Sequence, residues 1–460
     1  MWLSLCEQTH VGRREFLRVG GLALGGLSLP QLLAVQSALG DKLDSQKRSV
    51  IFVFLHGGPT QFETFDPKME APPEIRSATG EIATSVPGLT FGSTFPRLAA
   101  MADRLLVVRS FRTGDGNHDI KPVVGVKTLQ ANLGSLYARV VGTHRPSNGM
   151  PVNCALFPRA VDPDAQPPVT NFGRFDSSGS LGAAYAPFVP GGGGELQADM
   201  ELRLPRSRLE DRRGLLARLD RLRRSFEASG WLESLDQLQQ QAFQTVVGGV
   251  AEAFDLSRES PQTLARYDTA PLVAPQAISR RWNNYKYYVD NAQTLGKLLL
   301  LARRLCEAGC GFVTVTTGFV WDMHADQNNA GVEEGMQYMG PPLDHALSAL
   351  IEDIHARGLQ ERILVVVTGE MGRTPRINNR GGRDHWGGLA PLLLAGGGLP
   401  CGAVVGQSSE DGGRPASEPR ELEHLMGTIF HHLLDIGQVR LRDDLPRELV
   451  RVLTECPTLC

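Results

Sequence analysis

The chain has 460 residues, of which 42% are hydrophobic and 21% are charged, and its formal net charge at pH 7 is −3. This length suits one large α/β domain or two ordinary ones, and the composition is typical of a soluble globular protein. Because the charge is nearly balanced, no electrostatic attraction to nucleic acid is expected.

The first forty residues have the pattern of an export leader. Arg13 and Arg14 precede a Gly-rich apolar stretch, residues 19–34, which is short for a membrane span. This pattern resembles a twin-arginine signal, and an ordinary amphipathic helix is the alternative. We therefore predict a signal peptide over residues 1–40, export by the twin-arginine machinery, and a location in the bacterial periplasm or at the cell surface. No stable membrane span is expected after cleavage.

Five apolar runs rich in Val, Ile and Leu predict buried strands. They are residues 50–55, 105–110, 312–317, 363–368 and 391–395. Between the third and fourth runs, residues 343–354 carry apolar side chains on one helical face, and Gly358 is placed to end that helix. A strand, a helix and a strand within about fifty residues form a βαβ unit, which predicts an α/β fold with a parallel sheet.

The middle of the chain has a different character. Residues 155–200 are rich in Pro and Gly and predict a long irregular segment over the surface. Two helical stretches follow, and we interpret them as an αα-hairpin inserted at about residues 200–260. The arginines of the first stretch are interpreted as a solvated face rather than a binding patch.

Six of the seven cysteines remain once Cys6 leaves with the leader. The spacings of Cys306 with Cys310 and of Cys456 with Cys460 are compatible with disulfides in an oxidising compartment. Buried thiols fit the first pair equally well, because it lies where a helix gives way to a strand. No spacing matches a zinc knuckle, so we interpret the cysteines as structural.

A polar loop, "HGGPTQFETFDPK" at residues 56–68, follows the first predicted strand. His-Gly-Gly after a strand is typical of the oxyanion loop of α/β-hydrolases, but the serine elbow G-x-S-x-G that such enzymes need does not occur in the sequence. Glu63 and Asp66 remain as hard oxygen donors suited to a divalent ion. Turn formation and capping are their structural alternative.

Polar residues also follow later strands, and ligands of open α/β sheets bind beyond the carboxyl ends of the strands. In the loop at residues 111–119, a helix N-terminus would bind an anion, although Asn, Asp and Thr are also common caps. Asp322 and His324 offer a carboxylate and an imidazole to one ion. In the loop after residues 363–368, an Arg could hold an oxyanion while Glu and His complete a metal site.

Several segments together resemble the DUF1501 family of exported bacterial proteins of unknown function, which is abundant in planctomycetes. These segments are the leader, "GGPTQFETFDPK", "GNHD", "FVTVTTGFVWDMH" and, most specifically, "GEMGRTPRINNRGGRDHW". The resemblance covers nearly all of residues 41–460, including the helical insertion. The family is similar in turn to the alkaline phosphatase and sulfatase superfamily. This implies a doubly wound, mostly parallel α/β fold with metal ligands after the strands and a nucleophile at a helix N-terminus.

The resemblance also implies roles for individual residues. Thr113 is the only hydroxyl near the nucleophile position, Asn117 and His118 would orient the substrate, and Arg373 would bind the oxyanion. The residues implied as metal ligands are Glu63, Asp66, Asp322, His324, Glu370, Asp384 and His385.

The sequence departs from the superfamily at several of these positions. Neither the Asp-Ser pattern of alkaline phosphatases nor the C-x-P-x-R pattern of sulfatases occurs near Thr113. Glu63 stands where relatives have Asp, and Met371 stands where the superfamily has His. Direct attack by water is therefore as plausible as a covalent intermediate.

The leading hypothesis is a periplasmic hydrolase of phosphate or sulfate esters that depends on divalent Zn, Mn or Ca. Its substrate would be a small anionic ester or a sulfated or phosphorylated glycan. The alternative is a non-catalytic exported binding protein with a degenerate site. A serine hydrolase built around the His-Gly-Gly motif is the third hypothesis.

Overall fold

A computed structural model describes residues 48–191 and 250–460. The predicted leader at residues 1–40 and most of the predicted hairpin at about 200–260 lie outside these ranges. None of the helices in the two described ranges combines the length and the apolarity that crossing a bilayer requires.

The strands are short, and those of the main sheet are the predicted apolar runs together with two others. In chain order the strands are β1 (Ser49–Phe54), β2 (Glu81–Ala83), β3 (Thr90–Gly92), β4 (Leu105–Val108), β5 (Asn153–Leu156), β6 (Phe312–Val315), β7 (Ile363–Thr368), β8 (Gly372–Arg373), β9 (His385–Trp386), β10 (Leu392–Gly396) and β11 (Ala403–Val405). The α-helices of the described ranges are α1 (Pro96–Ala100), α2 (Leu133–Val141), α3 (Ala251–Phe254), α4 (Pro261–Tyr267), α5 (Tyr285–Glu307), α6 (Val332–Ala356), α7 (Leu422–Leu433), α8 (Ile436–Arg440) and α9 (Arg447–Thr454).

Seven of the strands form one mixed sheet in the order β11-β4-β10-β7-β1-β6-β5. Strand β10 is antiparallel to both of its neighbours, and every other pair in this sheet is parallel. All five predicted strands belong to it. The α/β class and the mostly parallel sheet are therefore confirmed.

Helices cover both faces of the sheet, as a doubly wound fold requires. Ile51 and Val53 of β1 face one apolar core, to which α5 and α6 contribute. Val50 and Phe52 face a second core, to which α2 and α7 contribute. Because side chains alternate along a strand, burial on both faces explains why β1 is an unbroken apolar run.

The predicted βαβ unit consists of β6, α6 and β7. Its two strands flank β1 and are both parallel to it. Helix α6 ends at Ala356, and Gly358 follows in the left-handed region with φ +68°, as predicted for a helix stop. The irregular segment predicted at residues 155–200 holds over residues 157–191, which contain helical structure only as three-residue 3-10 turns. Residues 155–156 belong to β5, and residues 192–200 lie outside the described ranges.

The cysteines of the described ranges are free thiols, which excludes the disulfide alternative in this structure. Cys306 and Cys310 are buried between the end of α5 and the start of β6, and Cys456 and Cys460 lie at the C-terminus. Burial raises the pKa of the Cys306 thiol well above its usual value, so it behaves as an apolar core residue.

Candidate metal centre

The site lies at the carboxyl ends of β7, β1 and β6, which are adjacent and parallel. The loops that follow these three strands meet there, and the loop after β4 joins them. This is the position at which open α/β sheets bind ligands.

Gly57 lets the loop after β1 turn tightly against the loops that follow β6 and β7. Gly57 has φ +116°, and a Cβ atom there would lie 2.5 Å from the backbone nitrogen of Asp322. The Gly57 N–H donates to both carboxylate oxygens of Glu370, at 2.9 and 3.1 Å. The Gly57 backbone thus holds the three loops together, and a larger residue at this position would prevent their close approach.

Four side chains converge at this point and form what we call the histidine cluster: His118, Asp322, His324 and His385. Each offers one ligand atom, and these atoms all lie within 4.8 Å of one another. Asp322 Oδ1 lies 2.9 Å from His324 Nε2, 3.3 Å from His385 Nε2 and 3.5 Å from His118 Nε2. The Nε2 atoms of His324 and His385 are 2.6 Å apart.

Two further carboxylates orient the imidazoles. His118 Nδ1 lies 3.0 Å from Glu370 Oε1, and His324 Nδ1 lies 3.1 Å from Asp384 Oδ1. Because a carboxylate accepts, each Nδ1 donates, and in the neutral ring the lone pair of Nε2 is left facing the cluster. Carboxylate–histidine pairs of this kind are the usual outer contacts of metal-binding histidines. Three imidazole nitrogens and a carboxylate oxygen are also a typical donor set for zinc, so the residues fit a metal ion.

The electrostatics of the cluster centre on the Asp322 carboxylate. Burial alone would raise the pKa of Asp322, but Arg373 and the three histidines hold it well below its usual range. For His118, burial lowers the pKa, but hydrogen bonds to Asp322 and Glu370 outweigh it, so the pKa is raised overall. Burial lowers the pKa of His385. Asp322 therefore stays ionised and supplies the negative charge of the cluster.

Arg373, predicted to bind an oxyanion, is fully buried and directs its guanidinium at the protein itself. Its Nη2 donates to Asp322 Oδ1 at 2.6 Å and also to the Gly57 carbonyl, while its Nε donates to the Gly58 carbonyl at 2.7 Å. Strands β8 and β9 pair so that Arg373 stands opposite His385. These contacts fix the orientation of the Asp322 carboxylate.

Glu63 and Asp66, predicted as metal ligands, are not among the residues that the structure brings into the cluster. Glu63 lies 3.1 Å from the guanidinium of Arg383. Asp66 lies 3.4 Å from Arg109 and 3.5 Å from Lys68. Their loop turns both carboxylates toward cations on neighbouring segments, so their charges are already balanced.

The loop at residues 111–119 brings only His118 into the cluster. The Thr113 hydroxyl oxygen is buried and has no hydrogen-bond partner among the described residues, and Asn117 is exposed. The expected helix N-terminus is not at this loop. Turns follow it, and the next α-helix, α2, begins at Leu133 with Asn132 as its cap. The expectation of a helix start at this loop is therefore wrong, whereas the roles predicted for Thr113 and Asn117 stay predictions.

Aromatic side chains that the sequence reasoning did not single out surround His118. Its ring centroid lies 4.7 Å from that of Phe319 and 5.0 Å from that of Phe172, and the two phenylalanines stack at 4.5 Å. His56 packs against the same pair, and burial lowers its pKa to about 4. Phe319 precedes the D-x-H motif and could have been noticed, whereas nothing marks Phe172 in its irregular segment.

A sequence model for the family described as "Protein of unknown function (DUF1501)" matches residues 47–443. No curated protein matches the chain.

Three solved structures of low sequence identity are similar to this chain. A sulfatase from Pseudoalteromonas sp. is 10% identical with a TM-score of 0.38, covering 92% of this chain and 77% of its own. A phosphonate monoester hydrolase from Silicibacter pomeroyi is 12% identical with a TM-score of 0.34, covering 84% and 73%. The lipoteichoic acid synthase LtaP from Listeria monocytogenes is 7% identical with a TM-score of 0.31, covering 81% and 73%.

Proposed function

We propose that this chain, which belongs to the DUF1501 family, is a metal-dependent hydrolase of phosphate or sulfate esters. The observation that carries the proposal is the convergence of His118, Asp322, His324 and His385 within 4.8 Å at the carboxyl edge of the sheet. Three imidazoles turn their nitrogens toward one carboxylate oxygen, Asp322 Oδ1.

Zn²⁺ is the metal that this donor set favours, ahead of Mn²⁺ and Ca²⁺. Imidazole nitrogens suit Zn²⁺, whereas Ca²⁺ prefers six to eight oxygen ligands. A divalent ion at the cluster would supply Lewis acidity toward an ester oxygen and lower the pKa of water. The protein's part is to hold the donors, with Arg373 fixing Asp322, Glu370 fixing His118 and Asp384 fixing His324.

Water is the nucleophile that we propose for the reaction. A covalent route through Thr113 would need an accessible hydroxyl, and the Thr113 oxygen is buried. The proposed substrate is a small anionic ester, including a sulfated or phosphorylated glycan. The stacked rings of Phe172 and Phe319 beside His118 would offer an apolar wall to the face of a ring-bearing substrate.

The test begins with the metal content of the mature protein purified without chelator. We expect bound Zn²⁺ and turnover of p-nitrophenyl phosphate or sulfate, with both lost in His324→Ala. His431→Ala is the matched control, because His431 is an exposed histidine on α7 and should change neither property. Protein that binds no metal, or that turns over neither ester with added Zn²⁺, Mn²⁺ or Ca²⁺, would contradict the proposal.

A second candidate is an exported metal-binding protein without hydrolytic activity. Two observations favour it, namely the buried Thr113 hydroxyl and the commitment of the Arg373 guanidinium to Asp322 and backbone carbonyls. The same experiment separates the two candidates, since a binding protein would hold Zn²⁺ through His324 and still leave every ester intact.

We also propose that the protein acts in the periplasm or at the cell surface. The support is the twin-arginine pattern at Arg13 and Arg14. Replacing both with Lys should keep the chain in the cytoplasmic fraction of expressing cells, and periplasmic recovery of that variant would contradict the assignment.

A further inference from the structure

Glu63 and Arg383 form an ion pair in which both side chains are fully buried. Neither residue belongs to the histidine cluster. Burying two charges carries a large desolvation penalty, and apolar side chains of similar size often give equal or greater stability. The position of this pair therefore needs an explanation other than stability.

Arg383 joins several segments of the chain at one point. Its guanidinium donates to the carbonyls of Ile75 and Arg76, each at 2.9 Å, and to that of Pro375. The Phe62 ring lies 4.1 Å from its guanidinium carbon. The backbone N–H of Arg383 also donates to the Met323 carbonyl at 3.0 Å, between the two cluster residues Asp322 and His324.

Hydrogen bonds from other groups hold the Glu63 carboxylate in the position where it pairs with Arg383. One carboxylate oxygen, Oε1, accepts from Arg383 at 3.1 Å and from the Ala78 N–H at 3.0 Å. The other, Oε2, accepts from the Thr60 hydroxyl at 2.5 Å. With these donors the carboxylate can adopt a single orientation, which fixes where the Arg383 side chain must lie.

The loop after β1 thus holds both ends of the hairpin formed by β8 and β9. At the first end, Gln61 Oε1 accepts from the Arg373 N–H at 2.9 Å, and Gln61 Nε2 donates to the Arg373 carbonyl at 2.8 Å. At the second end, Glu63 holds Arg383. The next two residues along the chain are Asp384, which contacts His324 Nδ1, and His385, which belongs to the cluster.

We propose that Glu63 and Arg383 are positioning residues for the histidine cluster. Their ion pair fixes the second end of the hairpin, so that Asp384 and His385 reach His324 and Asp322 in the geometry described above. The inference rests on the proposed function for the metal, but the anchoring of the hairpin is a property of the metal-free chain. The two parts are therefore measured separately.

The experiment compares the full mature chain with two variants. Glu63→Gln removes one charge and leaves Arg383 buried without its partner. Glu63→Gln combined with Arg383→Met removes both charges, so it leaves no buried charge without a partner. The charge-matched control combines Asp444→Asn with Arg442→Met, a surface ion pair between α8 and α9.

Hydrogen exchange of metal-free protein measures the anchoring. We expect peptides covering residues 374–386 to exchange at least about tenfold faster in the charge-free double variant, while the control pair leaves them unchanged. Competition with a chelator then measures Zn²⁺ affinity of the folded proteins. We expect a loss of about 10–100-fold in the double variant, as for other outer contacts of metal sites, and wild-type affinity in the control.

Each result decides a different claim. Unchanged exchange of residues 374–386 in the double variant overturns the anchoring, whether or not the wild type binds Zn²⁺. Faster exchange with wild-type Zn²⁺ affinity overturns the positioning role and leaves the proposed function intact. A wild type that binds no Zn²⁺ overturns the proposed function, and with it the claim that the anchored hairpin serves a metal site.

Discussion

The histidine cluster and a network of arginines and acids are two polar regions of the same molecule with different chemistry. In the network, Arg303 lies 2.9 Å from Glu259, 2.5 Å from Glu307 and 3.0 Å from Asp353, and every arginine has an acidic partner. The members of this arginine network are Arg303, Arg304, Arg357, Glu259, Glu307 and Asp353. In the cluster, two imidazole nitrogens face each other at 2.6 Å beside a single carboxylate oxygen.

The difference shows how a structural set of charges can be told from a binding site. The network joins α5 and α6, and each of its acids lies beside at least one arginine. The cluster gathers three imidazole nitrogens and one carboxylate oxygen around one point, and this donor set suits a divalent cation. Changes in the network should therefore alter the free energy of unfolding, and changes in the cluster should alter metal affinity.

The largest effect on stability is expected from Arg303→Met. Arg303 is 1% exposed and contacts Glu259, Glu307 and Asp353, so its loss leaves these acids with more exposed arginines, such as Arg304 and Arg357, as their partners. We expect the free energy of unfolding, measured with urea, to fall by about 3–5 kcal/mol, which is typical when a buried ion pair is broken.

The comparison with the cluster supplies the control for this variant. His324→Ala should abolish Zn²⁺ binding with a smaller loss of stability in the metal-free protein, whereas Arg303→Met should bind Zn²⁺ as the wild type does. If Arg303→Met weakened Zn²⁺ affinity as much as His324→Ala, the division between a structural and a binding region would fail.

A histidine outside both regions shows what burial alone does to an imidazole. The Nε2–H of His432 in α7 donates to the Ser49 carbonyl at 3.1 Å, and burial lowers the pKa of His432 to about 4. The folded state keeps this ring neutral, so the unfolded chain binds more protons between its ordinary pKa of 6.5 and about 4. Stability should therefore be complete above pH 6.5 and fall by about 3 kcal/mol from this group as pH drops to 4.

His432→Gln tests this expectation, because Gln keeps an N–H donor for the Ser49 carbonyl and does not titrate. Urea unfolding across the range should show a smaller dependence on pH in the variant. Some dependence should remain, since burial lowers the pKa of His56 and His144 to about 4 as well. If the free energy of unfolding of the variant depended on pH as strongly as that of the wild type, His432 would be protonated in the folded state as it is in the unfolded one.

The fold could be predicted largely because its central strands are buried on both faces. Continuous Val, Ile and Leu runs identify β1 and β7, and no polar alternation obscures them. Asp322, His324 and His385 could be placed near one another because their loops follow β6 and β7, the two strands that flank β1 and run parallel to it. That they bind a metal stays a prediction.

Side-chain partners distant in the sequence could not be predicted. A carboxylate after the first strand suits a metal as well as it suits an ion pair, and Arg383 lies 320 positions beyond Glu63. The burial of Arg373 has the same origin, because its partners come from the loops after β1 and β6. His118 was expected to orient the substrate, and only the arrangement of four loops shows its Nε2 among the donors of the cluster.

The smallest effect is expected at the edge of the cluster, from a change at Asp384. Like the acids of the arginine network, Asp384 contacts a nitrogen-bearing side chain, here His324. Asp384 is exposed, so Asp384→Asn should leave the stability of the metal-free protein nearly unchanged. It weakens the acceptor for His324 Nδ1, which lies 3.1 Å away, and should lower Zn²⁺ affinity by about 10–100-fold.

The exposed Asp444, paired with Arg442, supplies the control, since Asp444→Asn should leave Zn²⁺ affinity unchanged. Competition with a chelator measures both variants. A complete loss of Zn²⁺ in Asp384→Asn would make Asp384 a direct ligand rather than an orienting group, and unchanged affinity would remove it from the site.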